Sequence, residues 1–168
     1  MSINGGDGVW ARFRRLGGKD LNEGLHGLCA LGIGGLVTEL ALTRHWQKWN
    51  QGLVWLFMVL LMRAWWILRP FPSARSGPNA AQRRQANRLS AIVAAGGLLG
   101  IVFHVNGNLS AAPLDAAYGR LWESMPAWQQ LWLAVTMRVG PAPALASGAL
   151  VLLAGMIWLL ANVESGAV

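Results

Sequence analysis

Four stretches of the chain are apolar around nearly the whole helical circumference, at about residues 24–43, 52–68, 89–108 and 142–161. A helix rises roughly 1.5 Å per residue and a bilayer core is about 30 Å thick, so a run near 20 residues spans it. A soluble bundle turns a polar stripe to water on each helix, and these runs have none. The pattern predicts an all-α fold: a four-helix transmembrane bundle, up-down-up-down, over residues 24–162. Residues 1–23 form an arm before it and residues 163–168 a tail after it. A glycine-rich polar lead precedes the first run and Glu39 interrupts it, so it reads as a retained span and not a cleaved signal.

The connections differ in kind. Between the second and third spans, Pro70, Pro72, Gly77 and Pro78 break regular structure, and Arg83, Arg84 and Arg88 follow. The connection between the third and fourth spans is the longest, and long segments in compact proteins carry structure or function of their own. Within it Pro126 can open a helix over about 126–139. Trp128, Leu131, Trp132 and Val135 fall at i, i+3, i+4 and i+7, one apolar face, with Gln129, Gln130 and Arg138 as the polar components. That spacing predicts an amphipathic helix lying on the outer, periplasmic membrane surface. The same face would also serve to dock the periplasmic part of a partner.

Composition narrows the class. Of 168 residues, 54% are hydrophobic and 12% charged, about half the charged share of an average soluble domain. So apolar a chain is not disordered, and it lacks the polar surface that a nucleic-acid binder of net charge +7 requires. Cys29 is the single cysteine, which excludes a disulfide framework. Nine of the fourteen basic residues (Arg12, Arg14, Arg15, Lys19, Arg69, Arg75, Arg83, Arg84 and Arg88) fall on one side of the expected bundle. Four (Arg44, Lys48, Arg120 and Arg138) fall on the other, and Arg63 lies within the second span. Positive charge stays inside, so both termini are expected in the cytoplasm of a cell with this chain in its inner membrane. Indoles settle where hydrocarbon meets headgroup, and Trp46, Trp49, Trp65, Trp66, Trp128 and Trp132 sit where such anchors are expected.

Ionisable groups inside spans are expensive and mark candidate chemistry. Glu39 and His104 each lie fifteen residues past the inner start of their span, so they share a depth. Gly32 and Gly35 lie on the face of Glu39, and Gly96, Gly100 and Gly107 on the face of His104. Small residues let helices approach closely, so packing of the first and third spans through these glycines would form a buried Glu39–His104 pair able to hold or pass a proton. The competing reading satisfies each side chain separately, on a backbone carbonyl or a partner subunit. Arg63 lies near the inner end of its span and can extend to the headgroups. No two histidines share a depth for bis-histidine haem, which leaves His26 or His104 as a single axial ligand to a haem or chlorophyll-type pigment. Nothing in the sequence requires a cofactor, and no metal-binding motif, phosphate-cradling loop or nucleophile elbow is present.

The run Phe103-His104-Val105-Asn106-Gly107-Asn108, the tryptophan-bearing outer segment and the stretch Pro141-Ala142-Pro143-Ala144-Leu145-Ala146-Ser147-Gly148 together resemble small, uncharacterised bacterial membrane proteins of four helices. The shared pattern is H-x-x-G-N at the end of the third helix, and it covers about residues 93–155. The resemblance implies a similar topology and no activity. It also implies acidic and aromatic residues just after G-N, where this chain has Leu109, Ser110, Ala111 and Ala112. By elimination, the expected role is a non-catalytic accessory or structural subunit of a larger membrane complex, an energy-converting one such as a respiratory or photosynthetic electron-transport assembly. Its partners would be membrane lipids and other membrane subunits. The alternative is a proton- or ion-handling or cofactor-binding protein acting through Glu39 and His104.

Overall fold

The structure, a computed structural model, describes residues 7–47, 49–69, 77–140 and 146–162, with side chains from Leu21 onward apart from those of Trp49 and Asn50. Among these residues every regular element is helical: α1 (Asp7–Leu42), α2 (Trp49–Ile67), α3 (Ala80–Ala111), α4 (Ala127–Val135) and α5 (Gly148–Asn162). Two 3-10 turns, Ala112–Leu114 and Gly119–Ser124, link α3 to α4. By length and composition, two segments are apolar enough to cross a membrane, Leu21–Leu42 and Ala80–Leu114. Two shorter apolar helices, Gln51–Ile67 and Gly148–Asn162, accompany them.

Helix ends differ from the apolar runs, each for a local reason. The run predicts a third helix from residue 89, but α3 begins at Ala80. Asn79 and Gln82 close a reciprocal cap there: the Gln82 N–H donates to Asn79 Oδ1 (2.9 Å) and the Asn79 N–H to Gln82 Oε1 (2.8 Å). A polar turn of helix thus precedes the apolar one. Likewise α1 starts at Asp7, inside the expected arm. The helix α4 ends at Val135 instead of 139, and α5 starts at Gly148 instead of 142. Residues 141–145 and the tail 163–168 lie outside the described residues.

Two helices stop on a residue in the left-handed conformation where glycine is usual. After α1, Arg44 has φ 51°, with the His45 N–H on the Leu40 carbonyl (2.9 Å) and the Arg44 N–H on the Ala41 carbonyl (3.1 Å). After α4, Met137 has φ 57° and the Arg138 N–H reaches the Leu133 carbonyl (2.9 Å). These are Schellman-type ends, which cap otherwise orphaned carbonyls. Arg44→Gly relieves the strain and should add about 1 kcal/mol, or roughly 2–4 °C in the thermal unfolding midpoint in detergent. No change or a fall would mean that the arginine side chain contributes more than its backbone costs.

The chain divides into two compact units, Met1–Ser90 with Leu153–Val168, and Ala91–Leu152. In the first, the buried positions recur at helical spacing: Cys29, Ile33, Leu36 and Leu40 on α1, and Met58, Leu61 and Ala64 on α2 with Leu68 just past its end. The turn between these helices is tied by Trp55, whose Nε1 donates to the His45 carbonyl (2.7 Å). The carboxyl end of α5 is clamped to the start of α3. Arg83 donates to the Ala161 carbonyl (2.5 Å), and the side-chain amides of Asn87 and Asn162 pair. Helix ends leave four carbonyls without intrahelical partners, and this clamp occupies one of them.

The opposite faces are bare. Leu28, Leu31 and Leu42 on α1, Leu53, Leu56 and Val59 on α2, and Leu98, Leu99, Val102 and Phe103 on α3 are all exposed. Only 22% of the most apolar window of α1 and 17% of that of α3 is buried within the chain. A core helix of a soluble domain would be mostly buried, and soluble monomers rarely show contiguous apolar surface on this scale.

Candidate functional site

The best-defined surface feature belongs to the second unit, where residues 109–140 fold into a small cap on the end of α3. Its core is Ala112, Trp122, Leu133, Ala134 and Val139, with Val105, Leu109, Tyr118 and Met125 packed around it. Polar side chains hold the irregular backbone. Asp115 Oδ1 accepts the N–H groups of Ala117 (2.9 Å) and Tyr118 (3.0 Å), fixing the turn between the two 3-10 segments. Gln130 Nε2 donates to the carbonyls of Trp122 (2.8 Å) and Met125 (3.1 Å). Gln130 is therefore half-buried and turned to the cap, not part of a solvated face of α4.

Asn108 joins the cap to α3. It is fully buried, and its Nδ2 donates to the Ala134 carbonyl (2.9 Å) in the last turn of α4. Gly140 (φ 74°) lies so close that an added Cβ would clash with Asn108 Oδ1 and come within 2.7 Å of Asn108 Cα. Only glycine combines that conformation with that approach. The Gly119 backbone sits equally tight, since a Cβ there would be 2.5 Å from the Pro113 carbonyl oxygen.

This framework fixes which way α4 faces. Leu133 and Ala134 point into the cap core. Trp128, Leu131, Trp132 and Val135, the face given by the i, i+3, i+4, i+7 spacing, line an open apolar groove of about 340 Å³. Trp128 is 71% and Trp132 63% exposed. The four side chains that line the groove are all apolar, so what the groove offers a neighbour is apolar contact.

The other candidate residues fall as follows. Glu39 is exposed on α1 and belongs to the first unit, whereas His104 is half-buried on α3 in the second. Gly32 packs against Leu153 of α5, where a Cβ would meet Cδ2 at 2.5 Å, while Gly35 and Gly107 have open space around them. Gly96 is buried. Gly100 lies against Ser147, and so does Gly97, which the glycine strip on the His104 face passed over. The neighbours of Gly32, Gly97 and Gly100 thus come from α5 and the residue before it. Trp46 and Trp66 are exposed; the side chain of Trp49 lies outside the described residues.

Trp65 is half-buried. Its Nε1 donates to the His26 carbonyl (3.2 Å), and its ring lies 5.2 Å from the His26 ring. The His26 imidazole hydrogen-bonds the Leu68 backbone, and its Nε2 is enclosed without a partner. Among the described residues no three histidine, cysteine or acidic side chains gather as a metal site.

Asn108 and Gln130 were accessible only through their setting: each amide sits beside a segment rich in irregular backbone, which must find hydrogen-bond partners when buried. No family model, curated protein or solved structure matches the chain.

Proposed function

We propose that this chain is a multi-pass inner-membrane protein serving as a non-catalytic accessory subunit of a larger, energy-converting membrane complex. In this reading the termini and the Ala80 end of α3 are cytoplasmic, and the cap is periplasmic with α4 at the membrane surface. The observation that supports it best is the outward apolar surface. Leucines and aromatics cover the helix faces turned away from the buried positions, and the cap holds a further aromatic face rigidly outward. In a bilayer that surface is solvated by lipid or covered by neighbouring helices, and small faces on helices favour close partners.

Purification of the tagged native chain in a mild detergent tests this. It should migrate with stoichiometric membrane subunits carrying redox or pigment groups. Migration as a lone chain, with the host's respiratory or photosynthetic rates unchanged on deletion, would contradict it.

A further inference from the structure

The inner end of α2 carries cations where a membrane helix would normally turn apolar side chains outward. Arg63, Trp66 and Arg69 are all exposed, and the Arg69 guanidinium lies 4.8 Å over the centre of the Trp66 ring. At 100° per residue, Arg63 stands about 60° round the helix from Trp66, and Leu56, Val59 and Met62 lie within about 80° of it. These three are exposed too. One strip thus runs from aliphatic side chains to an indole flanked by two guanidiniums. Arg63 on α2 and Arg69 just beyond its end stand three residues to either side of Trp66, and two side chains of that length can converge on one group there. No acidic residue occurs in α2 to compensate them. The carboxyl end of a helix carries about half a negative charge, less than the two positive ones beside it.

We propose that this strip is a binding site for an anionic phospholipid. Its phosphate is held by Arg63 and Arg69, its glycerol region rests at Trp66, and an acyl chain lies along Leu56, Val59 and Met62. Guanidinium groups suit phosphate because their forked donors match its oxygens, and the stacked indole keeps Arg69 from ranging freely. The occupant is a lipid and not a soluble phosphate, because the aliphatic strip continues directly from the cations and would otherwise meet water. The site rests on reading α2 as a membrane span.

The test uses the full chain in vesicles of zwitterionic phosphatidylcholine with one-fifth phosphatidylglycerol, first washed with alkaline carbonate and then released into mild detergent for native mass spectrometry. The chain should stay in the vesicles and retain phosphatidylglycerol over phosphatidylcholine by about tenfold relative to their supply. The double variant Arg63→Gln with Arg69→Gln should lose that preference, whereas Arg84→Gln, an exposed arginine on α3, should keep it. Retention without preference, an unaltered preference in the double variant, or equal loss in Arg84→Gln would each overturn the site while leaving the membrane reading intact. Release by the alkaline wash would overturn both.

Discussion

Asn108→Ala is expected to loosen the whole cap. The substitution removes the Nδ2 donor from the Ala134 carbonyl, which stays buried without a partner, and leaves a void beside Gly140. An orphaned buried carbonyl costs about 1–3 kcal/mol and the void adds to that, so the cap should lose about 3 kcal/mol. The loss falls on a local unit, because Asn108 touches α4 and Gly140 and the cap has its own small core. Hydrogen exchange reads it directly: amides of Leu133, Ala134 and Val139 should exchange roughly a hundredfold faster, with those of α1 unaffected. Asn106→Ala, two residues away on an exposed position, should change exchange in the cap little. If the two variants behave alike, the buried amide is not what joins the cap to α3.

The second large effect lies where α3 meets the start of α5. A Cβ on Gly100 would stand 2.6 Å from Ser147 Oγ and 2.8 Å from Ser147 Cβ, and one on Gly97 3.0 Å from the Ser147 carbonyl oxygen. Both atoms against Gly100 belong to the Ser147 side chain, but its Cβ is bonded directly to the backbone and cannot swing aside, so the segments must separate to admit a larger residue. Gly100→Leu should therefore destabilise the chain by about 3 kcal/mol, lowering the unfolding midpoint in detergent by roughly 6–12 °C. Gly107→Leu, at an open position on the same helix, should leave the midpoint unchanged or raise it, since leucine is the better helix former. A midpoint for Gly100→Leu equal to that of Gly107→Leu would show that close approach at Ser147 does not hold the unit together.

Much of the helical layout was legible because it rests on long apolar runs, the strongest signal a chain carries. The α4 face was legible for a related reason: four apolar residues at helical spacing behind a proline admit few other readings. Helix ends were less so. The early start of α3 depends on Asn79 and Gln82 exchanging hydrogen bonds ahead of a polar turn, and the early end of α4 on Met137 accepting a left-handed conformation. Neither leaves a mark in hydropathy. The glycines show the limit most clearly. Gly96 and Gly97 are adjacent, and sequence spacing cannot say which neighbour a face meets; it is Gly97 that lies against Ser147, Leu150 and Val151. The polar residues of greatest structural weight serve backbone carbonyls that the fold leaves open: Asn108 one in the last turn of α4, Gln130 two at the end of the second 3-10 turn, so their roles follow from the fold of the cap and not from their own spacing. Glu39, singled out because it interrupts a span, is exposed, and Asn108, the last residue of H-x-x-G-N, is the buried polar group that joins two elements.

Everything proposed for this chain depends on its crossing the bilayer with the cap outside. Cys29 is buried, and with it replaced by alanine a single cysteine can be placed at exposed sites: Glu123→Cys in the cap or Ala81→Cys at the start of α3. Labelling with a membrane-impermeant maleimide on spheroplasts should mark Glu123→Cys at once and Ala81→Cys only after lysis. Labelling of Ala81→Cys in intact spheroplasts as fast as Glu123→Cys, or of Glu123→Cys only after lysis, would contradict the account.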